Sequence, residues 1–450
     1  MPANRSNPNS ADNSLKTIPG AYFFRMVSTC YTCKDPLIGS YAKSFQYKKN
    51  TSDPNAPSAG PTWDTMGVII WNDWKPITGE QAWAAMIGPL QFLYIKHNGT
   101  VPMWKGFADM PGEVQLALSI MPAVIAMQAV TGSMYHCPLG TQMYPADPAE
   151  AENVSNENNF SMYAGLRMLE FLLANNTLAF DAMLKDSKDD VDKVIKGIEK
   201  WFQNGIFSEP MEMAGINTVK NVYQGGHITF DGKYTEVGIM EYSGFAVDCQ
   251  TWGISTLIPY MGNDWVTQQL GADGAYKLWQ QVKHRGGKWN DNNTIAGVGF
   301  TQVLNMTCAK TATDNNTCTT HEVWSAEWSF GAALMAKTIA KTYKTSDPAK
   351  YTELMADATS IRNAVMTPVK DGGLHNVDSD GGMLYGNKRY FIPWGWYANP
   401  VSSLCSTSWS IMDEHDYNPF VLGGGDALKP AVKVKEMATG KSEGLWIGEQ

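Results

Sequence analysis

EYSGFAVDCQTWGISTLI (residues 241–258) begins polar and ends apolar. Asp248, Gln250 and Thr251 crowd together a few positions after Gly244, and Trp252, Ile254, Leu257 and Ile258 follow at helical spacing. Apolar residues with that period, and few charges between them, read as a buried helix. A charge at the start of a buried helix requires a reason, because desolvating an unpaired carboxylate is costly. One reason is local: a carboxylate in the first turn satisfies free backbone N–H groups and the helix dipole. The other is that this helix end faces a polar cavity. Three more segments share the design: SNENNFSMYAGLRMLEFLL (155–173), VWSAEWSFGAALMAKTIA (323–340) and ANPVSSLCSTSWSIMDE (398–414). Four such starts predict one pocket assembled from several helix ends.

Working outward, the remaining helical segments differ in kind. DDVDKVIKGIEKWFQNG (189–205) and residues 348–366 are amphipathic, with one charged face. GEQAWAAMIGPLQFLYIKHN (79–98) is expected to be capped by Thr78 and stopped by Gly99, and PGEVQLALSIMPAVIAMQAV (111–130) to start at Pro111. Residues 262–284 complete a set of nine or ten helices. Around Asp231-Gly232, HITF and KYTEVG predict a small β-hairpin near 225–240. Glycine-rich loops are expected at 285–299 and 371–387. No fixed repeat period is present, which argues against a solenoid. Buried helices alternating with amphipathic ones are what an inner ring inside an outer ring requires, so the fold class is all-α, an (α/α)6 toroid-like double ring. Residues 1–20 read as a flexible arm, 21–422 as the helical domain and 423–450 as a tail. As the helix count falls short of twelve, the first hairpin is expected to be absent or irregular within 1–62.

The chain has 450 residues, 44% of them hydrophobic, enough for a large core. Its net charge of -9, with no basic run, excludes nucleic acid as a partner. No apolar run reaches the roughly 18 residues of a membrane span. Sixteen tryptophans and nineteen tyrosines supply core and also faces on which sugar rings stack. Cys30 and Cys33 form a C-x-x-C that fits redox chemistry, zinc or half of two bridges, but no second pair at metal spacing follows it. No metal or cofactor is expected, and neither a phosphate loop nor a nucleophile elbow is present. Cys308 and Cys318 flank a short polar loop and read as a disulfide of an oxidising compartment. N-x-S/T occurs at Asn4, Asn50, Asn98, Asn153, Asn159, Asn175, Asn292, Asn305 and Asn315. Glycans are expected at Asn98, Asn175, Asn292, Asn305 and Asn315, and not at Asn159, which falls inside a buried helix start. Together these features predict a secreted, extracellular eukaryotic glycoprotein.

The segments GEQAW (79–83), SNENNFSMYAGL (155–166), VDCQTWG (247–253), SAEWSFGAALMA (325–336) and ANPVSSLCSTSWSIMDEHDYNPF (398–420) resemble, in order, those of the (α/α)6-toroid (six-hairpin) glycoside hydrolases and their secreted relatives. The resemblance implies a polysaccharide or oligosaccharide as partner. Glycoside cleavage needs a carboxylic acid to protonate the leaving oxygen and a second carboxylate as base or nucleophile. Glu327, between Ala326 and Trp328 at the mouth of an apolar helix, fits the acid, and Asp248 or Glu157 the second group. Each also has an ordinary role as a first-turn carboxylate. Trp394, Trp396 and Tyr397, expected in a loop, fit sugar platforms, and Arg389 fits a cation pairing with a site carboxylate. Gln250, Asn158 and Trp83 complete the expected substrate-binding set. The alternative class is a catalytically inactive extracellular glycoprotein on the same toroid, with its terminal extensions completing a homo-oligomer or filament.

Overall fold

The computed structural model of the chain describes residues 77–101, 103–104, 109–137, 152–174, 182–208, 211–213, 216–229, 234–237, 245–300, 323–388, 390–392, 396–398 and 400–427, with the short strands 45–47, 61–63 and 69–70. Twelve α-helices lie in this part: α1 Thr78–Ala82, α2 Gly88–Lys96, α3 Gly112–Ser119, α4 Met121–Met127, α5 Asn156–Ala174, α6 Ala182–Asn204, α7 Val247–Met261, α8 Asn263–Leu270, α9 Gly274–Gly286, α10 Ala326–Tyr343, α11 Pro348–Met366 and α12 Leu404–Glu414. The strands are short: β1 Phe45–Tyr47, β2 Pro61–Trp63, β3 Ile69–Ile70, β4 Asn153–Ser155, β5 Met211–Met213, β6 Ile216–Val219, β7 Gly225–Ile228, β8 Tyr234–Val237, β9 Gly287–Trp289, β10 Ile295–Val298, β11 Tyr390–Ile392 and β12 Trp396–Ala398. They form small antiparallel sheets around a mostly helical body. No helix among the described residues is long and apolar enough to cross a membrane.

Three segments that read as single helices are each divided. The residues after Ala82 pass through a π-turn, Trp83–Ile87, before α2 begins. Pro89 has no N–H for the Ala85 carbonyl, and the turn widens. In the same way Pro122 cannot donate to the Leu118 carbonyl, and α3 ends before α4. Gly271, at φ 84°, separates α8 from α9. The expected hairpin is present as β7 and β8, with Ile228 opposite Tyr234, but β4 pairs with β7 as a third strand and leads directly into α5. The β9–β10 and β11–β12 hairpins were not legible as strands, because runs of three or four residues leave no alternation to read. Residues expected in a loop, Trp396 and Tyr397, therefore lie on β12, paired with Ile392 and Phe391.

Helices α5, α7 and α10 are buried along most of their length, as the apolar runs require. Between them they form a continuous row: α5 packs on α1, α6 and α7, and α10 on α7, α11 and α12. The α11 helix buries only Leu354, Ala358, Ile361 and Val365, one face at three- and four-residue spacing. Its start is set by Pro348 and by Asp347, whose carboxylate accepts from the Lys350 N–H at 3.2 Å. The row is closed by aromatic contacts. Trp83, in the π-turn, meets Trp252 of α7 at 6.1 Å, Trp409 of α12 at 6.5 Å and Phe420 at 5.5 Å between ring centres. After α12 the chain returns to α2, where Gln91 donates to the Val421 carbonyl and accepts from the Gly423 N–H.

Among the sequons, Asn98 and Asn292 are exposed at turns, whereas Asn159 is fully buried. The Asn159 amide accepts from Met134 N–H and donates to the Met134 and Ser155 carbonyls, which leaves no room or free nitrogen for a glycan. Asn175, Asn305, Asn315, Cys308 and Cys318 lie outside the described residues, as do Arg389 and Trp394.

Candidate active site

Thr78 does not cap α1. Its hydroxyl donates to the Tyr135 and His136 carbonyls at 2.6 and 3.2 Å, and the free N–H at Gly79 is met instead by the Asn158 carbonyl oxygen at 2.9 Å. A side chain at Gly79 would occupy the Asn158 amide, so glycine is required by this close approach. The bond ties the starts of α1 and α5 together. The start of α5 is joined to that of α7 through Gln224, whose carbonyl accepts from Asn156 N–H at 2.8 Å and from the Cys249 thiol at 3.7 Å. Helix N-termini thus gather at one end, which brings their first-turn carboxylates Glu157, Asp248 and Glu327 into one neighbourhood.

Asp248 is the second residue of α7 and partly exposed. Its Oδ1 accepts from the Cys249 N–H at 2.7 Å. Burial pushes its carboxyl up to about 6, against the hydrogen bonds at Cys249 that favour the ionised form. Glu327 is the second residue of α10 and only 9% exposed. Burial raises it to about 7; the polar Cys405 thiol nearby opposes this, and the Asp248 charge adds to it. A helix N-terminus favours a carboxylate, so desolvation outweighs the dipole at both positions. Glu157 lies close enough to act on two thiols. Burial raises Cys249, with Asp248 and then Glu157 adding to it, and burial raises Cys405, with Glu327 and Glu157 adding. Three carboxyls and two thiols from α5, α7, α10 and α12 therefore form one electrostatic cluster.

One helical turn below, the cluster has an aromatic floor. Trp252 is four residues after Asp248, and Trp409 four after Cys405; their rings stack at 5.4 Å and 24°. Gly331, four after Glu327, lies against the Trp252 indole, where a β-carbon would be 2.8 Å from Nε1. Only a residue without a side chain lets α10 approach that ring. Trp83 joins this floor, with its indole N–H held by the Ser161 hydroxyl at 3.1 Å.

Two expected substrate ligands are structural instead. Gln250 is fully buried, and its amide accepts from Val222 N–H and donates to the Val222 and Ala246 carbonyls. Asn158 is 4% exposed, with one end on Gly79 and the other on His136 Nδ1. Both amides are used up by the fold and present nothing to a ligand. Gln250→Ala is expected to cost about 2–4 kcal/mol in a urea melt, since it strands both backbone groups of Val222, with no change in the pH profile of any activity. An unchanged midpoint would remove this assignment. The two thiols differ in surroundings: Cys249 is buried outright, whereas the Cys405 residue keeps surface although its sulfur is turned toward the desolvated carboxyls. Its position four residues before Trp409 was the available signal that it faces the cluster.

No known protein family matches the sequence, and no curated protein is similar to it. Solved structures with a partial likeness include an unsaturated glucuronyl hydrolase from Streptococcus agalactiae, at TM-score 0.42 and 9% identity over 75% of this chain and 72% of that one. Another is a Bacteroides ovatus structure described as GH9, at TM-score 0.30 and 11% identity over 73% of this chain and 52% of that one.

Proposed function

We propose that the chain is a carbohydrate-active protein of the (α/α)6-toroid type that hydrolyses a polysaccharide or oligosaccharide. The observation that carries this reading is the pairing of Glu327, raised to about 7, with Asp248, raised to about 6, at the starts of adjacent buried helices. Between those values Asp248 is ionised while Glu327 still holds its proton, the division of labour that glycoside cleavage requires. Glu327 protonates the glycosidic oxygen as the bond to the sugar carbon breaks. Asp248 takes the role of base or nucleophile on the opposite side, and Glu157 completes the acidic rim. The aromatic floor supplies the dry surroundings that keep Glu327 protonated. The proposal includes secretion, supported by sequons at exposed turns, Asn98 and Asn292.

The test is release of new reducing ends from neutral, acidic and amino-sugar polysaccharides across about pH 4 to 9. The expected result is a bell-shaped profile with limbs near 6 and 7. The second reading, an inactive structural glycoprotein that self-associates, is favoured by one observation: the Trp83–Trp252–Trp409–Phe420 cluster fills the space beneath the carboxyls, and Glu327 shows little surface. No hydrolysis of any substrate, with concentration-dependent oligomers by light scattering, would support that reading over the first.

A further inference from the structure

We infer that Asn158 holds His136 as the neutral tautomer with its proton on Nε2, and that this imidazole is an uncharged hydrogen-bond donor to substrate at the start of α5. The substrate contact rests on the hydrolase reading above; the tautomer does not. A backbone N–H can only donate. The Gly79 N–H, in the first turn of α1, is 2.9 Å from Asn158 Oδ1, which fixes the end of the amide that carries the oxygen. The other end, Nδ2, is a donor with no acceptor capacity, and it lies 3.1 Å from His136 Nδ1. That ring nitrogen has to accept, so the proton of the neutral imidazole sits on Nε2. A flipped amide would set Nδ2 against the Gly79 N–H, and a proton on Nδ1 would set one N–H against another.

Both residues are anchored a second time. The Asn158 N–H reaches the Ser155 hydroxyl at 3.4 Å, and its side chain is buried. The backbone of His136 joins two elements: its N–H donates to the Asn153 carbonyl at 2.8 Å, and its carbonyl accepts from the Thr78 N–H at 3.0 Å. His136 keeps part of its surface, whereas Asn158 does not. The amide therefore acts through the imidazole: Asn158 is the positioning residue and His136 the group that meets a ligand. Asn158 directly follows Glu157 in the first turn of α5, which sets the ring at the acidic end of the helices. An imidazolium at that end would draw nearby carboxyls toward ionisation. A neutral ring offers an N–H to a sugar oxygen without doing so.

The tautomer is read from a long-range proton–nitrogen correlation spectrum of the full-length chain with isotope-labelled histidine, the His136 signals being those lost in His136→Asn. At about pH 8 the expected spectrum shows one tautomer, with Nδ1 unprotonated and Nε2 protonated. Asn158→Asp keeps an acceptor for the Gly79 N–H but replaces the Nδ2 donor by a carboxylate oxygen, and is expected to draw a proton onto Nδ1. A mixture of tautomers in wild type, or an unprotonated Nδ1 in Asn158→Asp, would overturn the inference. The wild-type spectrum decides even where that variant fails to fold. The substrate contact is read in kinetics on the polysaccharide from which wild type releases reducing ends. Asparagine at 136 can still accept from Asn158 but lacks the Nε2–H, whereas glutamine can place an N–H near the Nε2 position. His136→Asn is expected to raise KM roughly tenfold, the weight of one hydrogen bond, with His136→Gln within about threefold of wild type. Equal KM values for the two variants would overturn the substrate contact while the hydrolase reading stands. Absence of hydrolysis by wild type would count against the proposed function and the contact together, and the spectra would still decide the tautomer.

Discussion

Glu327→Gln is expected to lose hydrolysis by roughly 10²–10⁴-fold and, at the same time, to become more stable than wild type at alkaline pH. The first effect follows from removing the proton that the proposed mechanism delivers to the leaving oxygen. The second follows from linkage. Glu327 is raised from 4.5 to about 7 in the folded chain, chiefly by burial, so the folded state holds its proton more tightly than the unfolded state. Stability from this group is complete below about 4.5 and is lost as pH rises through about 7. Across that interval, at roughly 1.4 kcal/mol per pH unit, the loss is on the order of 3 kcal/mol. Glutamine keeps the shape and carries no charge to desolvate, so the variant keeps what wild type loses. Urea melts at about pH 4 and pH 8 read the difference directly: similar midpoints at the lower pH, a higher midpoint for Glu327→Gln at the upper one. Destabilisation at both pH values would mean that the carboxylate is held by structural partners, and full retention of hydrolysis would exclude it as the acid.

The second large effect is expected at Trp252. Its ring is stacked on Trp409 at 5.4 Å and lies 5.7 Å from Phe420 and 6.1 Å from Trp83, with 6% of the residue exposed. Trp252→Ala removes the centre of that cluster, and the surrounding helices α7, α10 and α12 are too closely packed to collapse into the space. A loss of about 3–5 kcal/mol is expected, from transfer plus cavity terms. Ile411→Ala, on the exposed side of α12, is the control and should change stability by about 0.5 kcal/mol or less. Because burial is the largest cause of the raised Asp248 and Glu327 carboxyls, water entering the cavity should also return both toward ordinary carboxylate values. A stability loss near that of the control would show that the aromatic floor is not part of the core.

How much of this was legible in the sequence depends on the range of the interaction concerned. The long helices α5, α7, α10 and α11 were visible because each is written by its own residues: apolar side chains recurring every three or four positions, with a cap or a proline at the start. The first-turn carboxylates Glu157, Asp248 and Glu327 were visible for the same reason. The breaks at Pro122 and Gly271 were present as residues, but a continuous apolar pattern ran through them and masked their effect. Buried amides had no such local signature. The partner of Gln250 is 28 residues away at Val222, and that of Asn158 is 79 residues away at Gly79. A free amide suits a sugar hydroxyl and a stranded backbone group equally well, and only the tertiary structure shows which one it meets. The same holds for Cys405, whose surroundings depend on how α12 is set against α10, with Trp409 stacked on Trp252. Sequence alone determined where the long buried helices lie and which of them carry charge at their starts. The long-range packing decided that those starts share one end, which polar groups it consumed as structure, and which it left facing one another, because burial and hydrogen-bond partnership belong to contacts between segments and not to any one segment.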